Sequence, residues 1–506
     1  MALEALNTTT TDGTVTTDDT MATGERATTH DRVTQAAPLR RIADLPAPRG
    51  LPWFGNMLQF KAGHFHEQLD AWCRELGPFY QLKIGRRRML VVGDHEVVAA
   101  TLRDRPDGFR RTSRLEQVGA EIGLAPGVFN ASGEVWRRQR RMVMAGFDPA
   151  HVKRYFPSMS AVAQRLDARW QLAAQQGTSI DLQADLMRYT VDTIAGLAFG
   201  AEVRTLESDD DIIQQHLDKI FPALSRRILA PFPIWRYMPS RADRELEQSM
   251  VEVNAAVDGF IAHARARMAA DPGLRERPGN LLEAMIAAAD QPDSGIDDRQ
   301  VAGNVLTMLL AGEDTTANTI AWMIEALWRN PQALARATAE VRTVVSDPLN
   351  PTLEQIDALD YVEACTHETM RLKPVAPQLP LEALRDTVVG DVAVPKGSVV
   401  ISLLRRDSVS DAFVPQAVQF MPERWLSEGG PGKVANAAKR ISMPFGAGPR
   451  VCPGRYLAML EMKMAMATLL GRFDIVSVDT PDGQPAQERL SFTMMPVGLS
   501  MRLRRR

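Results

Sequence analysis

Residues 445–454 read Phe-Gly-Ala-Gly-Pro-Arg-Val-Cys-Pro-Gly. A cysteine among glycines and prolines, two residues after Arg450, has the makings of a metal ligand. The thiolate is the ligating form of cysteine, and three features of the stretch favour it. Cys452 precedes a segment that reads as helix, whose N-terminal amides and dipole stabilise negative charge. The glycines let backbone amides turn toward the sulfur, and Arg450 adds positive charge. The competing reading, a buried cysteine acting as a small hydrophobe, is the usual one for a lone cysteine.

Three other stretches carry residue types that could do chemistry. Ala311-Gly312-Glu313-Asp314-Thr315-Thr316 lies midway along a predicted long helix. Gly, Asp and Thr are poor helix-interior choices, the glycine alone costing about 1 kcal/mol. Such a break in local preference marks either a tolerated kink or a functional position. Glu368 and Arg371 stand at i and i+3, on one helix face; the bland reading is a solvated surface pair. Trp136 and Arg140 stand one helical turn apart, which a basic helix with a core tryptophan would also explain. The histidines, including His64, His66 and His367, show no spacing suited to a metal site. The methionines at 459, 462, 464 and 466 read as core.

The elements that must position these residues read as mainly helical. The clearest helix runs from Asp297 to Asn330, with Asp297 and Gln300 as a capping pair and Asn330-Pro331 as the stop. At about 1.5 Å per residue it spans ~50 Å. A second covers Asp360 to Leu372, and a last long helix follows Cys452, with Pro453 in its first turn. Phe79–Ile84 and Met89–Val92 alternate as strands do, and 391–404 reads as two short strands around Pro395-Lys-Gly397. Residues 1–36, rich in Thr, Asp and Ala, cannot bury enough surface to offset their ordering entropy, so a disordered tail is expected there. Residues 37–506 are expected to form one domain. At 506 residues, 45% hydrophobic and 24% charged, with a net charge of -3, the composition is globular and gives no general attraction to nucleic acid. Three well-separated cysteines exclude a disulfide framework and favour a reducing compartment. No apolar run reaches the ~18 residues of a membrane span, and the start lacks a signal-peptide layout. A soluble, cytoplasmic monomer is expected.

Phe445, Gly448, Arg450, Cys452 and Gly454 together resemble the F-x-x-G-x-R-x-C-x-G signature of the cytochrome P450 family. Five fixed residues recur by chance in fewer than about one chain in a thousand. The other stretches agree. Residues 311–316 resemble the family's A-G-x-D/E-T-T motif, Glu368 and Arg371 its E-x-x-R pair, Pro422-Glu-Arg424-Trp425 its P-E-R-F/W segment, and Trp136 with Arg140 its W-x-x-x-R. The resemblance covers about residues 40–500. It implies a mainly α (α+β) fold with small sheets and one haem b with Cys452 as its axial thiolate. Phe445 would pack near the sulfur, and Gly446 and Gly448 would permit close backbone approach. Arg450, Trp136 and Arg140 would hold propionates. Ala311 would leave room above the iron, where the long helix opens. Thr315 would hydrogen-bond dioxygen or a water beside it, and Asp314 would relay protons. Glu368, Arg371 and Arg424 would form a buried triad holding the cysteine loop. Where the family often has a propionate-binding arginine, Leu381 stands, leaving that task to Arg140 and Arg450 or to Arg385.

The implied reaction puts one atom of dioxygen into a lipophilic small molecule, by hydroxylation or epoxidation. Its electrons would come ultimately from NAD(P)H through a separate ferredoxin or flavodoxin and its reductase, as in soluble bacterial-type members. Arg137, Arg138, Arg141, Lys439, Arg440 and Arg455 would present a basic docking face to that donor. Residues 111–128, 221–238, 306–316, 375–381 and 492–497 would line the substrate pocket, with Gln378 and Glu313 toward a polar end. Phe232-Pro-Ile-Trp235 reads as a greasy lid or as ordinary core. The rivals are a haem-thiolate isomerase or peroxygenase on the same fold, and a non-enzymatic haem sensor or ligand carrier.

Overall fold

The computed structural model describes residues 38–200, 203–207, 212–230, 232–426 and 432–506. The expected tail, residues 1–36, lies outside them. Chain contacts divide the molecule after Leu39, and the unit Arg40–Arg506 holds every element below.

The long helix is Asp298–Arg329, capped at Asp297 by a reciprocal box with Gln300. It is buried along most of its length, as a helix that is apolar nearly all round must be. Leu182–Phe199 lies along it, close because residue 312 has no side chain: a Cβ there would stand 3.1 Å from Ile194. Trp170, Phe199, Trp322 and Phe473 are among the large side chains of the main apolar core around this pair. Asp360–Leu372 and Arg455–Arg472 complete the helical layer behind it. Gly454 is the N-cap of the last helix. Pro453 therefore precedes the first turn, a correction to the sequence reading that leaves Cys452 the same distance from the helix.

A five-stranded sheet follows the order Phe79–Ile84, Arg87–Val92, Val399–Leu403, Gln378–Ala383, Phe109–Arg111. In its last pair Arg111 stands opposite Leu381 and Phe109 opposite Ala383. The two strands expected within 391–404 exist but belong to different sheets. Val399–Leu403 is central in the larger one, while Val392–Val394 sits between Arg40–Arg41 and Thr387–Val389. Turn chemistry at Pro395-Lys-Gly397 marks a reversal without saying which partners the strands choose. A two-stranded hairpin, Glu488–Leu490 with Met494–Pro496, carries the turn 491–493 against the long helix.

Candidate active site

The cysteine loop is closed by its own backbone. The Cys452 amide donates to the Phe445 carbonyl at 2.9 Å, Gly446 N–H to Met443 at 2.9 Å, and Val451 N–H to Gly448 at 3.1 Å. Gly448, at φ +72, passes so close to another segment that a Cβ would lie 2.7 Å from Arg103 Cα and 2.9 Å from the Leu102 oxygen. The Cys452 residue is exposed, yet it is surrounded closely enough that desolvation raises its pKa. The Gly454 amide and the fields of Arg140 and Arg455 offset that only in part. The thiolate preference read from the sequence is thus not met by the polypeptide alone. Arg450 does not supply the charge expected of it: its guanidinium stacks on Trp136, 4.8 Å from the ring centre, and donates to the Ala131 carbonyl.

Behind the loop, Glu368 is fully buried and its two oxygens accept five hydrogen bonds. Arg371 donates at 2.7 and 2.8 Å, Arg424 at 3.3 Å, the Met421 amide at 3.0 Å and Trp425 Nε1 at 2.9 Å. Arg371 also reaches the Ala417 and Gln419 carbonyls at 2.6 and 3.2 Å, and Arg424 the Gln416 carbonyl at 2.8 Å. The three charges named from the sequence therefore meet, and they fasten an irregular stretch with few backbone bonds of its own. Trp425, which its sequence position alone does not mark as a partner of Glu368, completes the set.

On the long helix, Ala311 is exposed and Gly312 and Thr315 half-exposed, although both flanks of the same helix are buried. An exposed face at the middle of a buried helix opens on an internal space. The helix itself runs through the stretch unbroken, contrary to the opening expected there. The Thr315 hydroxyl donates to the Ala311 carbonyl at 2.7 Å, and Thr190 donates to the Glu313 carbonyl at 3.0 Å. Asp314 is buried and does not touch Thr315. Its Oδ1 accepts from Asn318 Nδ2 at 2.7 Å and its Oδ2 from the Thr493 hydroxyl. Desolvation raises its pKa, and those two bonds lower it in part.

Four guanidinium groups, Arg105, Arg111, Arg140 and Arg450, lie near enough to one another that each feels a neighbour's charge or the Cys452 sulfur. None has a carboxylate partner among the described residues. Arg140 donates to the Val451 carbonyl at 2.8 Å, and Arg111 lies 4.0 Å over the Phe129 ring. The buried Nε atoms of Arg105, Arg111 and Arg450 have no partner at all, nor do Asn130 Oδ1 and Ser132 Oγ. Desolvation and the field of Arg111 and Arg450 bring Arg105 down to about 8. Desolvation and Arg450 bring Arg111 down to about 9, and desolvation and Arg140 bring Arg450 down to about 10. Buried like charges with idle donors call for an anion. Arg385, one alternative read from the sequence, is engaged elsewhere: it holds both oxygens of Asp104 at 2.8 and 3.0 Å on the surface. Arg105 and Arg111 were missed. Their sequence signal is Phe109-Arg-Arg111, where strand alternation puts Arg111 on the apolar face of Phe109.

The cytochrome P450 family model matches residues 45–503. The chain belongs to the cytochrome P450 family. It is 26% identical over 460 residues to human steroid 17-alpha-hydroxylase/17,20 lyase, covering 88% of this chain and 87% of that one. It is 26% identical to the chloroplastic protein LUTEIN DEFICIENT 5 of Arabidopsis thaliana, over 79% of this chain and 67% of the relative. A self-sufficient P450 monooxygenase of Exserohilum turcicum is 27% identical over 92% of this chain but only 43% of its own length. With relatives named as hydroxylases and monooxygenases, this P450 is an enzyme of the monooxygenase class. The residues present fit the haem that the family implies. An exposed sulfur stands in a glycine loop, and the idle buried guanidinium donors suit two propionates. Among the described residues no helix is long and apolar enough to cross a membrane.

Outside the loop, a groove of about 1440 Å³ is lined in part by Phe445, Lys439, Arg455, Glu340, Glu363 and Glu423. It is mixed in charge, where the sequence suggested a basic face. Glu340 is taken by the Tyr361 and Val362 amides, Glu363 by Lys463, and Glu423 by Arg336. Lys439 and Arg455 have no acidic partner within 4.0 Å among the described residues. Phe232 and Ile234 are exposed, while Trp235 packs against the main core with Arg114 and Arg227 each 5.4 Å from its ring centre. His66, Glu67 and Glu488 come together, but Arg405 and Lys373 already occupy Glu488, which makes the group an ion-pair network rather than a cation site.

Proposed function

We propose that this P450 hydroxylates or epoxidises a lipophilic small molecule, with electrons derived from NAD(P)H and delivered by a separate acidic protein such as a ferredoxin or flavodoxin. Haem iron held by a cysteine thiolate supplies the binding of dioxygen and the cleavage of its O–O bond. Cys452 would hold the iron, and a bound metal ion would favour the thiolate that the polypeptide alone does not. Arg105, Arg111, Arg140 and Arg450 would bind the propionates, with Trp136 under Arg450. Phe445 covers the sulfur, Gly446 and Gly448 let the loop approach, and the methyl side chain of Ala311 keeps space above the reacting centre. Glu368, Arg371 and Arg424 hold the surrounding loops in place.

The observation that carries monooxygenation over isomerisation is the acid–alcohol pair. Asp314 is a buried carboxyl whose raised pKa lets it hold and release a proton. Thr315 offers a hydroxyl at the exposed face of the helix, where it can leave the Ala311 carbonyl and donate to oxygen or water. A peroxide-rearranging isomerase or a haem sensor needs no such relay, and a peroxygenase needs acid–base help only at a peroxide supplied from outside, so the pair argues for dioxygen activation over all three. Lipophilic substrate is supported by the rings of Phe129, Phe221 and Phe492, with Phe221 and Phe492 stacked at 4.7 Å and Phe129 6.0 Å from Phe492. The buried, unpartnered Gln378 Oε1 suits a substrate hydroxyl, with the buried Glu313 as the second polar group. A separate donor is supported by Lys439 and Arg455 beside the groove that reaches Phe445, as charge steering would require.

The test is the carbon-monoxide difference spectrum of the reduced protein, followed by Thr315→Ala. The strongly red-shifted Soret band establishes thiolate ligation; an unshifted band would refute Cys452 as ligand. In Thr315→Ala, electron consumption should continue while product per electron falls. Unchanged coupling would refute the relay.

A further inference from the structure

Asp314 and Thr493 are 179 positions apart in the chain, yet they share a buried hydrogen bond. Both carboxyl oxygens of Asp314 are engaged, one by Asn318 on its own helix and one by Thr493 on the hairpin turn. Asn318 accepts in turn from the half-buried Gln183 at 3.2 Å. Held on both sides, the carboxyl cannot reach Thr315.

The turn is built to link that bond to what fills the pocket. Its strands are fixed: the Leu490 amide donates to Gly63 at 2.7 Å, the Met494 amide to Val375 at 2.8 Å, and Trp322 Nε1 to the Met494 carbonyl at 3.3 Å. Between these anchors sit Phe492 and Thr493. The Phe492 ring is half-buried against Phe221 and Phe129, while the next residue, Thr493, is buried against Asp314. The tip is tied together and to the helix that carries Phe221: the Ser491 amide donates to the Thr493 carbonyl at 3.1 Å and the Ser225 hydroxyl to the Ser491 carbonyl at 2.8 Å, so a molecule that pushes Phe492 off Phe221 strains the backbone that holds Thr493.

We propose that Thr493 is a positioning residue that keeps Asp314 from serving Thr315 until an occupant of the pocket shifts Phe492. This rests on the monooxygenase reading and adds to it a coupling between pocket occupancy and proton release. With the Thr493 bond broken, Asp314 keeps Oδ1 on Asn318, and Oδ2 becomes free to take a proton from solvent and pass it to the Thr315 hydroxyl, which gives its own proton to the oxygen or water beside it. Such a device would limit electron loss when no substrate is bound. The titratable groups on the elements packed around Asp314 are Glu313 on its own helix, Tyr189 on the neighbouring helix and Glu461 on the last helix. Desolvation is the largest influence on the Asp314 carboxyl and raises its pKa, and the bonds from Thr493 and Asn318 are what offset it in part.

The experiment uses the haem-loaded protein, once it gives the thiolate carbon-monoxide band, and infrared difference spectra in which the Asp314 carboxyl stretch is identified by its loss in Asp314→Asn. Losing a hydroxyl donor to a carboxylate raises its pKa. Thr493→Val should move the band and shift its titration upward by about one pH unit, a tenfold effect, and Thr493→Ser should restore both. With a plant-type ferredoxin and its reductase as donors and no substrate, Thr493→Val should consume electrons about tenfold faster than wild type, while Thr493→Ser should not. Clotrimazole, a bulky azole that fills such pockets, should move the band in wild type but not in Phe492→Ala. A Thr493→Val protein with the wild-type band and electron loss would overturn the proposal, as would a clotrimazole shift that survives in Phe492→Ala. Should Thr493→Val not fold, the azole comparison still decides. Absence of the thiolate band would refute the monooxygenase reading itself, a distinct failure.

Discussion

Arg111→Leu should change stability in opposite directions with and without haem. The fall of the Arg111 pKa from 12.5 to about 9 is equivalent to ~5 kcal/mol at about 1.4 kcal/mol per tenfold. A guanidinium keeps its proton in a protein, so the cofactor-free fold carries this cost as unrelieved burial and repulsion. Relaxation and water entry remove about half, leaving roughly 2–3 kcal/mol that leucine, matching Leu381 across the strand pair, should recover. In the loaded protein the same change removes a charge-assisted bond to a propionate, worth about 1.5–3 kcal/mol. Haem should then leave about ten- to a hundredfold faster. The assay is urea unfolding of both forms, with haem transfer to an excess of a haem-free globin giving the dissociation rate. Arg385→Leu is the control, because its exposed bridge to Asp104 is worth at most about 1 kcal/mol in either form. If Arg111→Leu destabilises the haem-free protein as much as the loaded one, or leaves haem loss unchanged, the charge on Arg111 is not the unrelieved cost derived above.

Glu368→Gln leaves Arg371 and Arg424 buried without their counter-charge and should cost roughly 3–5 kcal/mol in chemical denaturation; a loss under about 1 kcal/mol would show the triad to be dispensable. Gly448→Ala should impair haem incorporation severely, since its Cβ would meet the Arg103 and Leu102 backbone, whereas Gly446→Ala meets open space and bears only the strain of φ +75, about 1–2 kcal/mol; equal effects would contradict the contact geometry. At Glu488, desolvation opposes ionisation but is outweighed by the His66 bond and the fields of Arg405 and Lys373, which hold the carboxyl below the usual range. A depressed carboxylate contributes stability that is complete above 4.5, its ordinary value, and is lost as pH falls through the folded one. Glu488→Gln should therefore flatten the acid side of the urea midpoint curve, and an unaltered curve would place that acid sensitivity elsewhere.

Local chemistry made part of this site readable in advance. Asp297 and Gln300 cap the long helix as their spacing requires, and Phe79–Ile84 and Asp360–Leu372 have the bounds their patterns imply. Glu368, Arg371 and Arg424 could be named only through their resemblance to the family's E-x-x-R and P-E-R-F/W segments, since their spacing alone reads as a solvated surface pair. Pairing between distant segments could not be read. Nothing in Asp314-Thr-Thr announces Thr493, and nothing around Phe109 announces that Arg111 will face Leu381. Those contacts are set by how strands and turns pack, to which a linear pattern is blind. The thiol was misjudged for a related reason: Arg450 is near Cys452 in the chain, but its guanidinium rests on Trp136.

The Arg111–Leu381 rung has a meaning for how such sites diverge. Where the resemblance to the family implies a cation at Leu381, this chain places one on the next strand, at the same level of the ladder. A lineage could pass between the two arrangements through an ancestor bearing arginine at both positions, which would tolerate the loss of either. Residue-by-residue alignment would record two unrelated substitutions, while in space a single charge has stepped sideways across a hydrogen-bonded pair. The functional unit at this wall of the site is the rung rather than either residue on it.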